Sequence, residues 1–215
     1  MFDYNCDVAQ SYGIYQNKEE LEIAQYASSI NISAGFHSGD PVSIRSAMIF
    51  AKDHNIALGA HIGYPDIQGF GRRAMDLSDE ELEAVVVYQI GAVLAYAKAQ
   101  GLEIEQVRAH GALKDKINTD ENTAIVVAKA LKKVSPWLNL IVQNYETKKI
   151  VENEGAKAAL EVDYLEEADF FKKLEEIETE KRPDTIHFRK LEDIKKAYEA
   201  LKPSPINYNR VQHQI

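Results

Sequence analysis

The stretch Ser29-Ile30-Asn31-Ile32-Ser33-Ala34-Gly35-Phe36-His37-Ser38-Gly39-Asp40-Pro41 decides the fold class. It begins as a short strand over Ser29–Ile32, passes through a polar turn with two glycines, and enters a helix that runs to about His54. Asp40 is placed to cap that helix, and Pro41 suits its first position, where an N–H would have no partner. Strand, polar loop and helix in this order form the building unit of a parallel sheet with flanking helices. The unit repeats outward from here. Phe2–Cys6 is a strand candidate ending in Asn5-Cys6-Asp7, and Lys18–Ser28 carries Leu21, Ala24 and Tyr26-Ala27 in an amphipathic helix. Ile56–Ala60 is a strand that stops at His61. Ser78 and Glu81 make a capping box at the head of a long helix from Asp79 to about Gln100, and Gly101 stops it. Ile104–Val107 leads into Arg108-Ala109-His110-Gly111, a helix follows from Asp120 to about Val134, and Leu138–Gln143 is a fifth strand. This alternation predicts an α/β fold with parallel strands. Periodicity alone does not decide whether the sheet closes.

The chain has 215 residues, 45% of them hydrophobic, enough to bury a core as a single domain over 1–215. Its 34 acidic and 25 basic residues give a net charge of −9. That balance argues against general binding to nucleic acid or an anionic membrane, each of which needs a basic face. No run approaches the ~18–20 apolar residues of a membrane span. Cys6 alone cannot form an internal disulfide, and the polar start MFDYNCDVAQ does not read as a signal peptide, so the expected location is cytoplasmic. Residues 161–202 hold 13 acids and 9 bases in 42 positions. They predict a charged, mostly helical part remote from any site, with helices at Phe170–Glu180 and Leu191–Leu201 and room for one short strand at Ile186–Phe188.

In a parallel α/β fold all strand C-termini share one edge, where active sites are built from the loops. Asn5 and Asp7, His37 and Asp40, His61 and Asp66, and Arg108 and His110 follow four successive strand candidates, so they are expected to converge. Asp7, His37, His61 and His110 are the candidate catalytic residues. A carboxylate with several imidazoles suits general acid–base work, with Asp7 or Asp40 orienting a histidine. The same set suits a divalent metal, although no HExxH pattern is present. Asn5, Asp40, Tyr64, Asp66, Arg72 and Arg108 are candidate substrate contacts. The loop Gly63–Arg73 offers backbone donors and two guanidiniums, a receptor for carboxylate or phosphate. Its plainer reading is a surface turn whose arginines pair with Asp76 or Glu80. No P-loop occurs. Asp7 and Asp66 could supply a glycosidase pair, but the wealth of histidine fits that chemistry poorly. Cys6 reads as a small core hydrophobe. His54, His187 and His213 fall outside the constellation, respectively in a polar turn, inside a short strand and in a polar tail.

NCD at 5–7, GFHSGDP at 35–41, GAHIGYPD at 59–66, GFGRRAMDLS at 69–78, YQIGAV at 88–93 and HGAL at 110–113 occur in one order. With these motifs the chain resembles the LamB/YcsF family over roughly residues 1–120. The resemblance implies a distorted seven-stranded β/α barrel of the glycoside hydrolase and deacetylase type. It further implies ATP-dependent opening of the 5-oxoproline lactam to glutamate, together with two further 5-oxoprolinase subunits. Several positions depart from the family pattern. Gln10 stands where NCDLGE ends in a carboxylate, and Ala34 replaces the cysteine of ACGFHAGD. Arg108-Ala109-His110-Gly111-Ala112-Leu113-Lys114 replaces KPHGALY. Two other readings stay open: a catalytically degenerate regulatory or structural subunit of such a complex, and a metal-dependent deacetylase-like hydrolase. If the chain is an enzyme of this kind, ATP is expected to be handled with the partner subunits, and the substrate to be a small lactam or carboxylate anchored by Arg72 and Arg108.

Overall fold

The computed structural model describes residues 2–167 and 169–203. Seven parallel strands close into a barrel in sequence order: β1 (Asp3–Val8), β2 (Ser29–Ser33), β3 (Ala57–Ile62), β4 (Gln106–Ala109), β5 (Asn139–Val142), β6 (Lys157–Asp163) and β7 (Thr185–His187). The register that closes it pairs Asn5 of β1 with His187 of β7 on one side and Asp7 with Asn31 of β2 on the other. The helices are α1 (Glu19–Ala24), α2 (Pro41–His54), α3 (Asp79–Ala99), α4 (Gly111–Ile117), α5 (Glu121–Val134), α6 (Tyr145–Asn153), α7 (Phe170–Glu175) and α8 (Leu191–Ala200).

Local chemistry sets the element starts. Asp40 accepts from the Val42 and Ser43 amides at the head of α2, and Ser78 and Glu81 cap α3 reciprocally. Asp120 and Asn144 cap α5 and α6, each accepting from a first-turn amide. Strand residues that point outward are apolar: Ile30, Ile32, Leu58, Ile62, Val107 and Leu140 are buried between barrel and helices. Most of those pointing inward are polar, and Asn5, Asn31, His61, Gln106, Arg108 and Glu161 are all buried as well, beside Ile141 and Ala159. Helix α3 is long and apolar enough to cross a membrane by length and composition. It lies along the barrel against β3 and α5. Its apolar residues are spread around the helix, and so do not stand out as one uninterrupted run.

Residues 161–202 differ from the charged, mostly helical, remote part that composition predicts. They contain the end of β6 and all of β7, and Glu161, Thr185 and His187 are buried inside the barrel. The helix predicted over Phe170–Glu180 ends at Glu175 and is followed by a short 3-10 turn over Thr179–Lys181. Strand β6 and helices α4 and α6 are additions to the pattern read from sequence. Barrel closure explains β6: its two neighbours give both edges partners, which a local reading of Lys157–Asp163 cannot show.

Candidate functional site

The C-terminal ends of the strands open on a cavity of about 240 Å3. Strand β1 delivers Asp7 to it, β4 Arg108, the following turn His110, and β7 His187, while Arg72 and Lys114 stand at its rim. His110 is the N-cap residue of α4, with extended backbone, and Gly111 behind it has φ +51°. A Cβ on Gly111 would lie 2.4 Å from the Gly71 carbonyl oxygen, so only glycine lets the 63–73 loop pack this closely on His110.

Beneath the cavity lies a buried ion network. The Arg108 guanidinium donates from Nε and Nη2 to both oxygens of Glu161, each at 2.7 Å. Its Nη1 donates to Asp7, with Oδ2 at 3.0 Å. Burial pushes the Glu161 carboxyl up, but Arg108 and then His187 outweigh it and hold the group down at about 2. Burial likewise opposes ionisation of Asp7, and Arg108, His61 and His187 hold its carboxyl well below the usual range. Arg108 itself is held above its usual value against burial, by Asp7 and Glu161. The three groups therefore stay charged together at neutral pH, with Asn5 bridging to Glu161 and Thr185 below them.

Three histidines stand against this network. His61 Nε2 is 3.2 Å from Asp7 Oδ2 and 3.0 Å from His110 Nδ1. Its Nδ1 faces the Arg108 carbonyl at 3.1 Å, and His110 Nε2 faces the Phe70 carbonyl at 2.8 Å. Burial, then the neighbouring His61, lowers His110 to about 3. His37 lies flat on His110, ring centroids 4.2 Å apart and planes within 5°. Burial, His61 and His110 push it well below the usual histidine range, and its Nδ1 has no hydrogen-bond partner among the described residues.

The residues picked out from sequence thus separate into groups. Asp7, Arg108 and His110 line the cavity; His61 is directly behind them, and His37 forms the wall behind His110. Arg72 reaches the rim, with its guanidinium 5.8 Å from the Phe70 ring centre and no ion pair among the described residues. Arg108 does not stand free as a carboxylate anchor, because Asp7 and Glu161 already take its N–H groups. Asn5 is fully buried one layer down, its carbonyl oxygen accepting from Asn31 and facing His187 Nδ1 at 2.8 Å. Asp40 caps α2 outside the cavity, and Tyr64 is buried away from it. Asp66 staples its own loop, pairing with Arg73 and accepting from the Gly69 and Arg73 amides. That pairing, not one to Asp76 or Glu80, fixes Arg73.

Three residues that sequence reasoning left out belong to the site. His187 lines the cavity with Nε2 3.5 Å from Asp7, and burial, then Arg108, lowers it to about 4. Glu161 is the counter-ion of Arg108. Glu20 of α1 lines the cavity and accepts from the Ala9 and Gln10 amides at 2.8 and 3.0 Å, where Ala9 has φ +57°. Burial raises its carboxyl to about 7. A signal for Glu161 and His187 existed in the alternation of β6 and β7, where each takes an inward position. His213 lies outside the described residues.

A sequence model of the LamB/YcsF family matches residues 2–195. A 5-oxoprolinase subunit of Geobacillus kaustophilus is 48% identical over 138 residues, which is 64% of this chain and 54% of that protein. The corresponding 5-oxoprolinase subunit of Thermus thermophilus is 45% identical over 160 residues, 74% of this chain and 63% of that one. The crystal structure of a lactam utilization protein, also from Thermus thermophilus, superposes with a TM-score of 0.73 at 42% identity, covering 75% of this chain and 66% of that chain. The matches thus span less than two thirds of these relatives' own length.

Proposed function

The chain belongs to the LamB/YcsF family, and on that premise we propose that it is the lactam-binding subunit of a cytoplasmic, ATP-dependent hydrolase that opens 5-oxoproline to glutamate. The observation that carries this reading is the make-up of the mouth. Arg72 and Lys114 at its rim face Asp7 and His110 at its floor across a cavity of about 240 Å3. That volume lies below the ~300–1,000 Å3 of pockets for drug-sized ligands and suits a small ring bearing one carboxylate. The sequence carries no P-loop pattern. ATP coupling is therefore assigned to the assembly with two partner subunits, and no step through ATP is assigned to the residues of this mouth.

Ring opening adds water across the C–N bond, hydroxyl to the carbonyl carbon and proton to the nitrogen. Arg72 and Lys114 hold the ligand's carboxylate, a charge-assisted contact in a partly dry site. Asp7 stays ionised at pH 7, so its carboxylate accepts a hydrogen bond from a water and holds it against the carbonyl beside His110. The proton released by that water passes to the floor and from there to the ring nitrogen as the bond breaks. Glu161 lies behind the cavity and positions Arg108, while His187 lines the cavity beside Asp7.

A second reading, in which the chain binds the lactam without turning it over, draws support from Arg108, whose charge is spent within the network. Titration calorimetry with 5-oxoproline, followed by turnover with the partner subunits present, separates the two. Wild type is expected to bind, and Arg72→Ala to bind about tenfold or more weakly, as loss of a contact worth ~1.5–3 kcal/mol requires. His110→Ala is expected to bind and to lose about 100-fold or more in turnover. Binding without turnover in wild type selects the second reading. No binding with partners present rejects both.

A further inference from the structure

We propose that Asp7, His61 and His110 form a binding site for a divalent first-row transition ion, zinc or a neighbour of zinc, at the floor of the mouth. The inference deepens the functional reading above and rests on it, since it concerns the same reacting floor. It begins with the protons. His61 Nδ1 and His110 Nε2 each face a backbone carbonyl, at 3.1 and 2.8 Å, and a carbonyl can only accept. Both of those nitrogens therefore carry the ring N–H. In the neutral rings His61 Nε2 and His110 Nδ1 are then bare lone pairs, and they face each other at 3.0 Å. Two lone pairs at that distance repel unless a cation lies between them. Asp7 Oδ2 lies 3.2 Å from the same His61 nitrogen.

The two spacings from His61 Nε2, 3.0 Å to His110 Nδ1 and 3.2 Å to Asp7 Oδ2, are each those of neighbouring ligands on a metal. Bonds of about 2.0–2.1 Å at octahedral to tetrahedral angles put neighbouring donors about 2.9–3.4 Å apart. Outer hydrogen bonds from the far ring nitrogens to carbonyls are the arrangement that fixes the tautomer of metal-bound histidines. The charge also fits: Asp7 and Glu161 carry two negative charges and Arg108 one positive, so the buried network is left with one negative charge to offer. Asp7 and His110 both border the cavity, so an ion there would turn its open positions toward a ligand. His37 is near enough by distance, since one nitrogen of each of His37, His61 and His110 lies within 4.8 Å of the others. Its orientation is wrong. Ring lone pairs lie in the ring plane, and His37 is stacked parallel on His110, so the two cannot point at one ion. His37 is the wall of the site and not a ligand of it.

The test is a titration of the chelator-treated full chain with Co2+, read by its visible d–d absorption, and with Zn2+ in competition. One equivalent is expected to bind. His61→Asn and His110→Asn are each expected to weaken it by about 100-fold or more, beyond what losing an outer partner costs. His37→Phe, which keeps the stacked ring, is expected to leave the affinity unchanged. Thermal melts identify any variant that fails to fold; His110→Asn, at the edge of the cavity, and Asp7→Asn then decide in its place. Absence of an equivalent of bound metal in wild type overturns the proposal and leaves a shared proton between His61 and His110. Loss of binding in His37→Phe, or retention in folded His110→Asn, overturns the ligand set. 5-Oxoproline titrated into the same samples keeps the functional reading separate: lactam binding without Co2+ binding rejects the metal alone, and the reverse rejects the substrate alone.

Discussion

Each barrel strand has two faces of opposite chemistry. Outward residues such as Ile32, Leu58, Val107 and Leu140 meet the helices in an apolar layer, worth about 1.5–3 kcal/mol for each large side chain buried. Inward residues such as Asn5, Asn31, Gln106, Arg108 and Glu161 fill the barrel with polar and charged groups that are just as inaccessible. The outward layer tolerates any set of side chains of about the right volume. The inward layer does not, because a buried charge without its partner is far more costly than a missing methyl. The shell folds the chain, while the interior fixes where Asp7 and Arg108 stand and therefore where a ligand is met.

The sharpest way to break this comparison is Glu161→Ala. It leaves Arg108 with one carboxylate for a fully buried guanidinium, and the expected loss is about 3–5 kcal/mol in urea unfolding. A loss under about 1 kcal/mol would mean that the interior network carries no such weight.

The two buried glutamates respond oppositely to pH. Glu161 has a folded value of about 2 against an ordinary 4.5. It binds its proton more weakly when folded, so its contribution is complete above pH 4.5 and is lost as the pH falls toward 2. Glu20 has a folded value of about 7 against 4.5, so its contribution is complete below pH 4.5 and is lost as the pH rises through 7. Glu20→Gln is expected to flatten the decline of stability over that upper interval, whose slope can reach about 1.4 kcal/mol per pH unit. Parallel stability curves for wild type and variant across that range would remove Glu20 from the account.

The smallest effect comes from the shell. Ile90→Val in α3, fully buried between helix and barrel, should cost about 0.5–1.5 kcal/mol and leave affinity for 5-oxoproline unchanged. A change in affinity of about tenfold, or ~1.4 kcal/mol of binding energy, would erase the division between the layer that folds and the layer that binds.

The two faces also account for what the sequence made legible. Strand–loop–helix units from Phe2 to Val134 were readable because their loops carry caps, glycines and histidines right after apolar runs, as at Asp40, Ser78 and His110. Convergence of Asp7, His61 and His110 followed from strand polarity alone. Barrel closure was implied by family resemblance and not by periodicity, since β1 meets β7 from the far end of the chain, Asn5 against His187. Glu161 and His187 were missed for the same reason. A glutamate in a charge-rich segment looks solvated until the closed barrel is known, and here the barrel interior brings in Arg108 of β4 from 53 residues away. Asp66 was read toward substrate because it follows His61, but its nearest cation, Arg73, lies in its own loop.

The central claim is that the mouth between Arg72 and Asp7 is where a small lactam carboxylate binds, and a crystal structure of the chain soaked with 5-oxoproline tests it most directly. The account predicts electron density in that cavity, with the ligand carboxylate in hydrogen-bond reach of Arg72 or Lys114 and the ring carbonyl against Asp7 and His110. Density for the ligand at another surface, with the mouth filled only by water at saturating ligand, would contradict it.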